Sequence, residues 1–177
     1  VALLAKGIDA FACWDPVPII ALKDVPGAVE IIRGGDVISY VGFNVALRPW
    51  VERNGATIEK FLAAVSEADQ WMRANPKAAA QVATRWIPGL KQDVAEAAMQ
   101  FNIQQADRRL STNNFKALWS AQDRLNRLGF IKSTFDVNKH IEPKHMLNVI
   151  KDNPKLFSDL PAIPANVMIT PGYVFKP

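Results

Sequence analysis

From Thr57 to Leu128 the chain carries one amphipathic helical pattern after another, while only three short apolar runs before Thr57 have strand character. That imbalance constrains the fold more than any other feature. Every such helix has an apolar face to bury, and three short strands offer too little sheet to cover them. A few strands followed by many helices is not a self-sufficient layer arrangement. The sequence therefore reads as part of a larger α/β architecture.

The individual elements follow from periodicity and punctuation. Ile58, Phe61, Leu62, Val65, Ala68 and Met72 recur at helical spacing, predicting a helix over 57–74 capped by Thr57. Asn75-Pro76 ends it and starts the next, with Asn75 as N-cap and Pro76 in the first turn. That helix runs to about Ile87 and stops at Pro88-Gly89. Residues 92–101 form another helix, burying Val94, Ala98 and Phe101. Residues 112–128 form the last strong one, with Phe115, Leu118, Trp119, Leu125 and Leu128 on one side and Gly129 as its stop. A weaker helix is expected over 143–151. From Pro154 onward, five of the chain's twelve prolines predict extended or loop-like backbone. Toward the N-terminus, residues 1–6 read as a helix end stopped by Gly7, and residues 16–22 as one or two helical turns. Pro26-Gly27 marks a turn. The three strand-like runs are 7–14, 28–32 and 39–47, with Gly42 allowing a bulge in the last.

The first of these runs is the most telling. Ile8, Phe11, Ala12 and Cys13 suit a buried strand, and Pro16 stops regular pairing. Trp14 and Asp15 are thereby placed at the strand's carboxyl end, where open α/β sheets bind ligands. The pattern of Asp9-Ala10-Phe11 followed by Trp14-Asp15-Pro16 resembles the solute-binding proteins of ABC importers for nitrate, sulfonates and taurine. The stretch from Ala68-Asp69-Gln70-Trp71 through Asn75-Pro76-Lys77-Ala78-Ala79-Ala80 is similar to that family's helix pair. Leu128-Gly129-Phe130-Ile131-Lys132, followed by Phe135-Asp136-Val137, resembles its late segment. The three matches occur in the family's order over about 7–141, and nothing after about 142 matches.

The resemblance implies a type II periplasmic-binding-protein-like α/β fold. In it, two lobes joined by a hinge crossover close on a ligand, and only the helix-rich C-terminal half is present here. On that basis residues 1–24 end the second lobe, and 25–48 cross over and supply strands returning to the first. Residues 49–141 complete the first lobe with helices, and 142–177 form a C-terminal tail. It further implies capture of a small anion or zwitterion and delivery to an ABC permease in the membrane. Localisation would be periplasmic or lipid-anchored outside the cytoplasmic membrane. The missing N-terminal half of the same protein is an implied partner, and no cofactor is implied.

Composition narrows the classes without choosing among them. The net charge is +4, but Lys and Arg are scattered, so no nucleic-acid surface is indicated. No apolar run approaches the roughly 20 residues needed to span a bilayer. A single cysteine, Cys13, excludes an internal disulfide framework, and with no base beside it the thiol reads as buried and structural. His140 and His145 are spaced wrongly for a helical metal pair, with Pro143 between them, and read as surface residues. Trp71, Trp86 and Trp119 lie on apolar helix faces and read as core, and Arg108-Arg109 as a solvated pair.

The ligand candidates are Trp14, Asp15, Ser39, Tyr40 and Asn44. Trp14 offers a ring face and one N–H. Ser39, Tyr40 and Asn44 offer hydroxyl and amide donors for oxyanion oxygens. No triad, paired-carboxylate or metal signature stands out, so binding is expected rather than catalysis. Two other readings compete. One is an enzyme of the same superfamily that makes the thiamine pyrimidine, from whose cysteine-rich motif Phe11-Ala12-Cys13-Trp14 departs. The other is a helical protein-interaction module.

Overall fold

A computed structural model describes residues 2–34 and 41–176. The chain divides into two compact units, each assembled from two separated stretches of sequence. Unit 1 comprises Val1–Arg33 and Ala68–Ala106, and unit 2 comprises Gly34–Glu67 and Asp107–Pro177. Among the described residues the regular structure is helical, and the sole β pairing is an isolated antiparallel bridge between Ser111 and Met168. No helix among them is long and apolar enough to cross a membrane.

The helices are α1 (Val17–Asp24), α2 (Arg48–Arg53), α3 (Gly55–Ala74), α4 (Pro76–Trp86), α5 (Gln92–Asn102), α6 (Thr112–Arg127) and α7 (Lys144–Asp152). Their ends show how local chemistry sets them. α3 begins two residues before Thr57, because the Asn54 carbonyl accepts from the Thr57 and Ile58 N–H groups at 3.0 and 3.1 Å. Asn75 does not cap α4 through its side chain. It closes α3 instead, its Nδ2 donating to the Trp71 carbonyl at 3.0 Å. α6 ends in a Schellman turn: Gly129 N–H donates to Asn126 O at 3.0 Å and Phe130 N–H to Leu125 O at 2.9 Å. Gly129 supplies the required positive φ of 77°. Residues 2–6 form turns rather than a helix end. Lys6, not Gly7, takes the left-handed conformation there, with φ of 55°.

Unit 1 packs around small side chains. Ala79 and Ala80 of α4 lie against Ala95 and Met99 of α5, with Met72, Leu90 and Ile103 closing the cluster. Alanine at these positions allows close helix approach, and Ala80 is fully buried. α1 adds Ile19 against Val94 and Ala98. Lys23 of α1 also pairs with Asp93 of α5, and that hydrogen bond holds the Asp93 carboxyl below the usual range.

Unit 2 has two clusters. Phe115 of α6 packs with Val137, Ile141 and Ile169, and Leu118, Trp119, Tyr173 and Phe175 close around it. Met146 and Val149 of α7 pack with Phe157, against Leu62 and Ala63 of α3. The proline-rich tail is loop-like, as its composition predicts, with short 3-10 turns at Pro154–Phe157 and Ala165–Val167. It is nonetheless anchored. Asn138 donates to Phe175 O at 3.0 Å and accepts from Phe175 N–H at 2.7 Å. Arg109 is not a solvated cation: it grips Asp107 at 2.7 Å and the Pro161 carbonyl at 2.9 Å.

The strand expectations are corrected. Residues 7–14, 28–32 and 41–47 carry no strand, and residues 39–40 of the third run lie outside the described residues. A strand needs a neighbouring backbone to complete its ladder, and no described residue supplies one. Their apolar side chains stay uncovered. Val29 is 77% exposed, Ile31 83% and Val45 90%. Gly42, expected at a bulge, lies in open backbone with nothing near its Cβ position. The helix faces also need adjusting. Trp86 is 81% exposed and Trp71 is exposed, so neither is core. Trp119 packs as expected.

Candidate functional site

Irregular backbone after Gly7 leads into α1 and leaves Trp14 and Asp15 at its start, with the Trp14 carbonyl accepting from Val17 N–H at 3.2 Å. The two side chains part company. Trp14 is 75% exposed. Asp15 turns inward, its side chain 14% exposed, and its Oδ2 accepts from Arg33 Nη1 at 2.8 Å. Arg33 also reaches Glu30, through Nε at 3.0 Å and through Nη2. Its guanidinium carbon lies 4.0 Å from the centre of the Phe101 ring, a cation–π contact. The Glu30 hydrogen bond, more than the neighbouring Asp15, holds Arg33 still more firmly protonated, against a smaller opposing effect of burial.

Asp15 further lines a cavity of about 120 Å³ within unit 1, with Pro16, Ile87, Leu90, Met99 and Asn102 among its walls. Asp15 Oδ1 is buried, and no group among the described residues hydrogen-bonds to it. A buried acceptor left without a donor costs about 1–3 kcal/mol. The sequence reading puts Trp14 and Asp15 together at the end of a strand, and the structure has no strand there and turns the two side chains apart. Arg33, Glu30, Phe101 and Asn102 were not foreseen. Arg33 lies 18 residues from Asp15, and a pairing at that separation carries no periodic signal.

Asn44 is exposed and belongs to unit 2. Ser39 and Tyr40 lie outside the described residues. Cys13 is exposed rather than buried. No group of three His, Cys, Asp or Glu side chains that could hold a metal ion occurs among the described residues.

A second polar cluster, also unforeseen, lies in unit 2. Glu59 Oε1 accepts from Asn148 Nδ2 at 2.7 Å and lies 3.0 Å from His145 Nδ1. His145 is thus not a surface residue: its side chain is 13% exposed. Gly55 makes room for it, since a Cβ there would fall 3.0 Å from His145 Cε1. Beside the cluster is an open cleft of about 310 Å³, lined in part by Glu59, Lys60, Asp152 and Asn153. The Asn148 hydrogen bond, then that of His145, lowers the Glu59 pKa, with Lys144 adding a weaker pull. A carboxyl whose folded pKa is depressed stabilises the fold above its unfolded value. That contribution disappears as pH falls through the folded value. Urea midpoints measured from neutral pH down to about pH 3 should therefore show Glu59→Gln less stable than the native chain at neutral pH. The gap should close below the ordinary carboxylate range. A constant gap across that range would mean Glu59 acts through packing alone.

Comparison with known proteins gives one informative likeness. Over 67 residues the chain is 42% identical to a protein of Escherichia coli (strain K12) named "Putative aliphatic sulfonates-binding protein". The match covers 37% of this chain and 20% of that protein's length. No known protein-family profile matches the chain, and no solved structure does.

Proposed function

We propose that this chain is part of a solute-binding protein of an ABC importer, which captures a small sulfonate-like anion or zwitterion and delivers it to a membrane permease. The observation that carries this reading is the 42% identity to the Escherichia coli sulfonates-binding protein. The placement of Trp14 and Asp15 supports it, since an exposed ring beside an inward ion pair is suited to hold a small polar solute. The complete protein has two α/β lobes that close by a hinge motion, with this chain as the C-terminal half. In that arrangement residues 1–24 end the second lobe, 25–48 cross over, 49–141 complete the first lobe, and 142–177 are a tail. The uncovered runs 28–32 and 41–47 find their ladder partners in the N-terminal half. Ser39, Tyr40 and Asn44 contribute hydrogen bonds to the solute from the crossover. The protein works outside the cytoplasmic membrane, periplasmic or lipid-anchored, and makes or breaks no bond in its solute.

Calorimetric titration of the intact protein with short alkanesulfonates and with taurine tests this reading. Trp14→Ala should weaken binding by about 1–3 kcal/mol. The melting temperature should hardly move, because the side chain is mostly in solvent. Unchanged affinity with a large fall in melting temperature would assign Trp14 to packing, and failure to bind any of these solutes would remove the proposal.

A further inference from the structure

The turn that ends α6 is held by its own hydrogen bonds, yet what it presents to solvent is hydrocarbon. Gly129 N–H donates to Asn126 O, Phe130 N–H donates to Leu125 O, and the Asn126 side chain donates to Ile131 O at 3.1 Å. Phe130 is nevertheless 76% exposed and Leu128 64%, and Leu125 is exposed one turn earlier. Helical spacing assigns Leu125 and Leu128 to the buried face of α6, but that face ends with Phe115, Ala117 and Gln122. A backbone fixed in this way keeps the apolar side chains in water, at a hydrophobic cost. Cations accompany them. Residues 124–135 include Arg124, Arg127 and Lys132 and no carboxylate. Arg127 pairs with Asp123 at 2.9 Å, while Arg124 and Lys132 form no ion pair among the described residues. Asp136, the next acid along the chain, is taken up by Asn138. All of these residues belong to unit 2.

Arg124 and Leu128 are four residues apart and share one face of the helix end, and Lys132 follows Phe130 by two residues. Exposed hydrocarbon beside unpaired cations matches a surface that is anionic outside and apolar just beneath. We propose that this tip docks on an anionic lipid bilayer. Phe130 and Leu128 enter the boundary between headgroups and acyl chains, and Arg124, Arg127 and Lys132 meet the phosphate layer. Charge selects this occupant. The two unpaired cations require a negative partner, and the chain's net charge of +4 adds no repulsion from such a surface. Neither cavity described above is lined by these residues, so the tip offers a small solute no enclosure. One phenyl ring, one leucine and three cations give a reversible contact, which concentrates the protein at a membrane without anchoring it. The surface is independent of the solute proposed above and operates whatever that solute is.

The experiment is co-sedimentation of the intact protein with vesicles of phosphatidylcholine alone, or of phosphatidylcholine with about one-third phosphatidylglycerol. Partitioning should favour the anionic vesicles by about tenfold or more, and raised salt should remove most of that preference. Phe130→Ala should weaken partitioning about tenfold. Arg124→Gln and Lys132→Gln should each weaken it about fivefold. Melting temperatures should stay close to native, since all three side chains are exposed. Trp86→Ala removes a comparably exposed ring from unit 1 and should leave partitioning unchanged. A second measurement locates the contact. In a Cys13→Ser background, Ser133→Cys carrying an environment-sensitive fluorophore should shift to the blue on anionic vesicles and not on neutral ones. Equal binding to both vesicles, binding to neither, or full binding by Phe130→Ala would overturn the proposal. A loss with Trp86→Ala as large as with Phe130→Ala would overturn it too, as indiscriminate apolar adhesion. If the Ser133→Cys thiol resists labelling in the folded protein, another polypeptide segment covers the tip and the bilayer is not its partner.

Discussion

Phe115→Ala is expected to destabilise unit 2 by about 3–5 kcal/mol, a large fraction of the stability of a domain of this size. Phe115 is 2% exposed, and its neighbours come from three separate stretches of chain. The Tyr173 ring stands edge-on at 5.2 Å between centroids, and Phe175 stacks at 6.4 Å. Val137, Ile141 and Ile169 complete the pocket. Removing the ring leaves a cavity that these backbones, tied together by Asn138 and Phe175, cannot readily collapse to fill. Urea unfolding followed through Trp119 fluorescence gives the free-energy change. Limited proteolysis should show the tail after Ala165 becoming cleavable before α6 does. Phe115→Leu should recover much of the loss, since it keeps most of the volume. A cost under about 1 kcal/mol for the alanine variant would mean that Phe115 does not centre this core.

Gln122→Ala is expected to cost about 2–4 kcal/mol although it removes no apolar packing of consequence. The side chain is 3% exposed and makes a closed pair of hydrogen bonds with one residue. Its Nε2 donates to Phe135 O at 2.8 Å, and its Oε1 accepts from Phe135 N–H at 2.7 Å. A primary amide mimics here the edge of a β-strand, satisfying both backbone groups of a residue that has no ladder. Alanine orphans both groups at once. Gln122→Glu keeps the acceptor but turns an oxygen toward the Phe135 carbonyl, so it should recover little. Amide hydrogen exchange at Phe135 should quicken in both variants. Protection that persists in Gln122→Ala would show that another group satisfies that N–H.

Helices were legible because a 3.6-residue period is written in consecutive side chains. α3, α4, α5 and α6 lie within two residues of their expected bounds, and Gly129 closes α6 as its position after Leu128 predicts. α2 escaped notice because Arg-Pro-Trp-Val-Glu-Arg is too short to establish a period. Apolar content without alternation misled in the opposite sense. Residues 28–32 have strand composition, but composition cannot say whether a partner backbone is present, and among the described residues none lies beside them. Trp86 marks a similar limit. Its place on α4 is right, yet the packing of α4 against α5 uses Ala79 and Ala80 and leaves the indole in solvent. At the candidate site, Trp14 and Asp15 were visible through the proline that follows them. Arg33 was not, because a pairing across 18 residues is decided by tertiary structure. The Glu59–His145 pair, separated by 86 residues, was hidden for the same reason.

The interleaving of the two units bears on how the molecule emerges during synthesis. Residues 1–33 belong with residues 68–106, and the intervening stretch belongs to the other unit. At about 5–20 residues per second, Arg33 leaves the ribosome roughly 4–15 s before Ala106. For that interval Ile19 lacks Val94 and Ala98, and Asp15 and Arg33 lack the α5 residues that later surround them. Neither unit can be released by a single cut or translated alone as one unbroken segment. The nascent chain thus exposes the apolar run around Phe11 and α1 for seconds before its partners exist, and chaperone demand should fall on this interval rather than on the later tail.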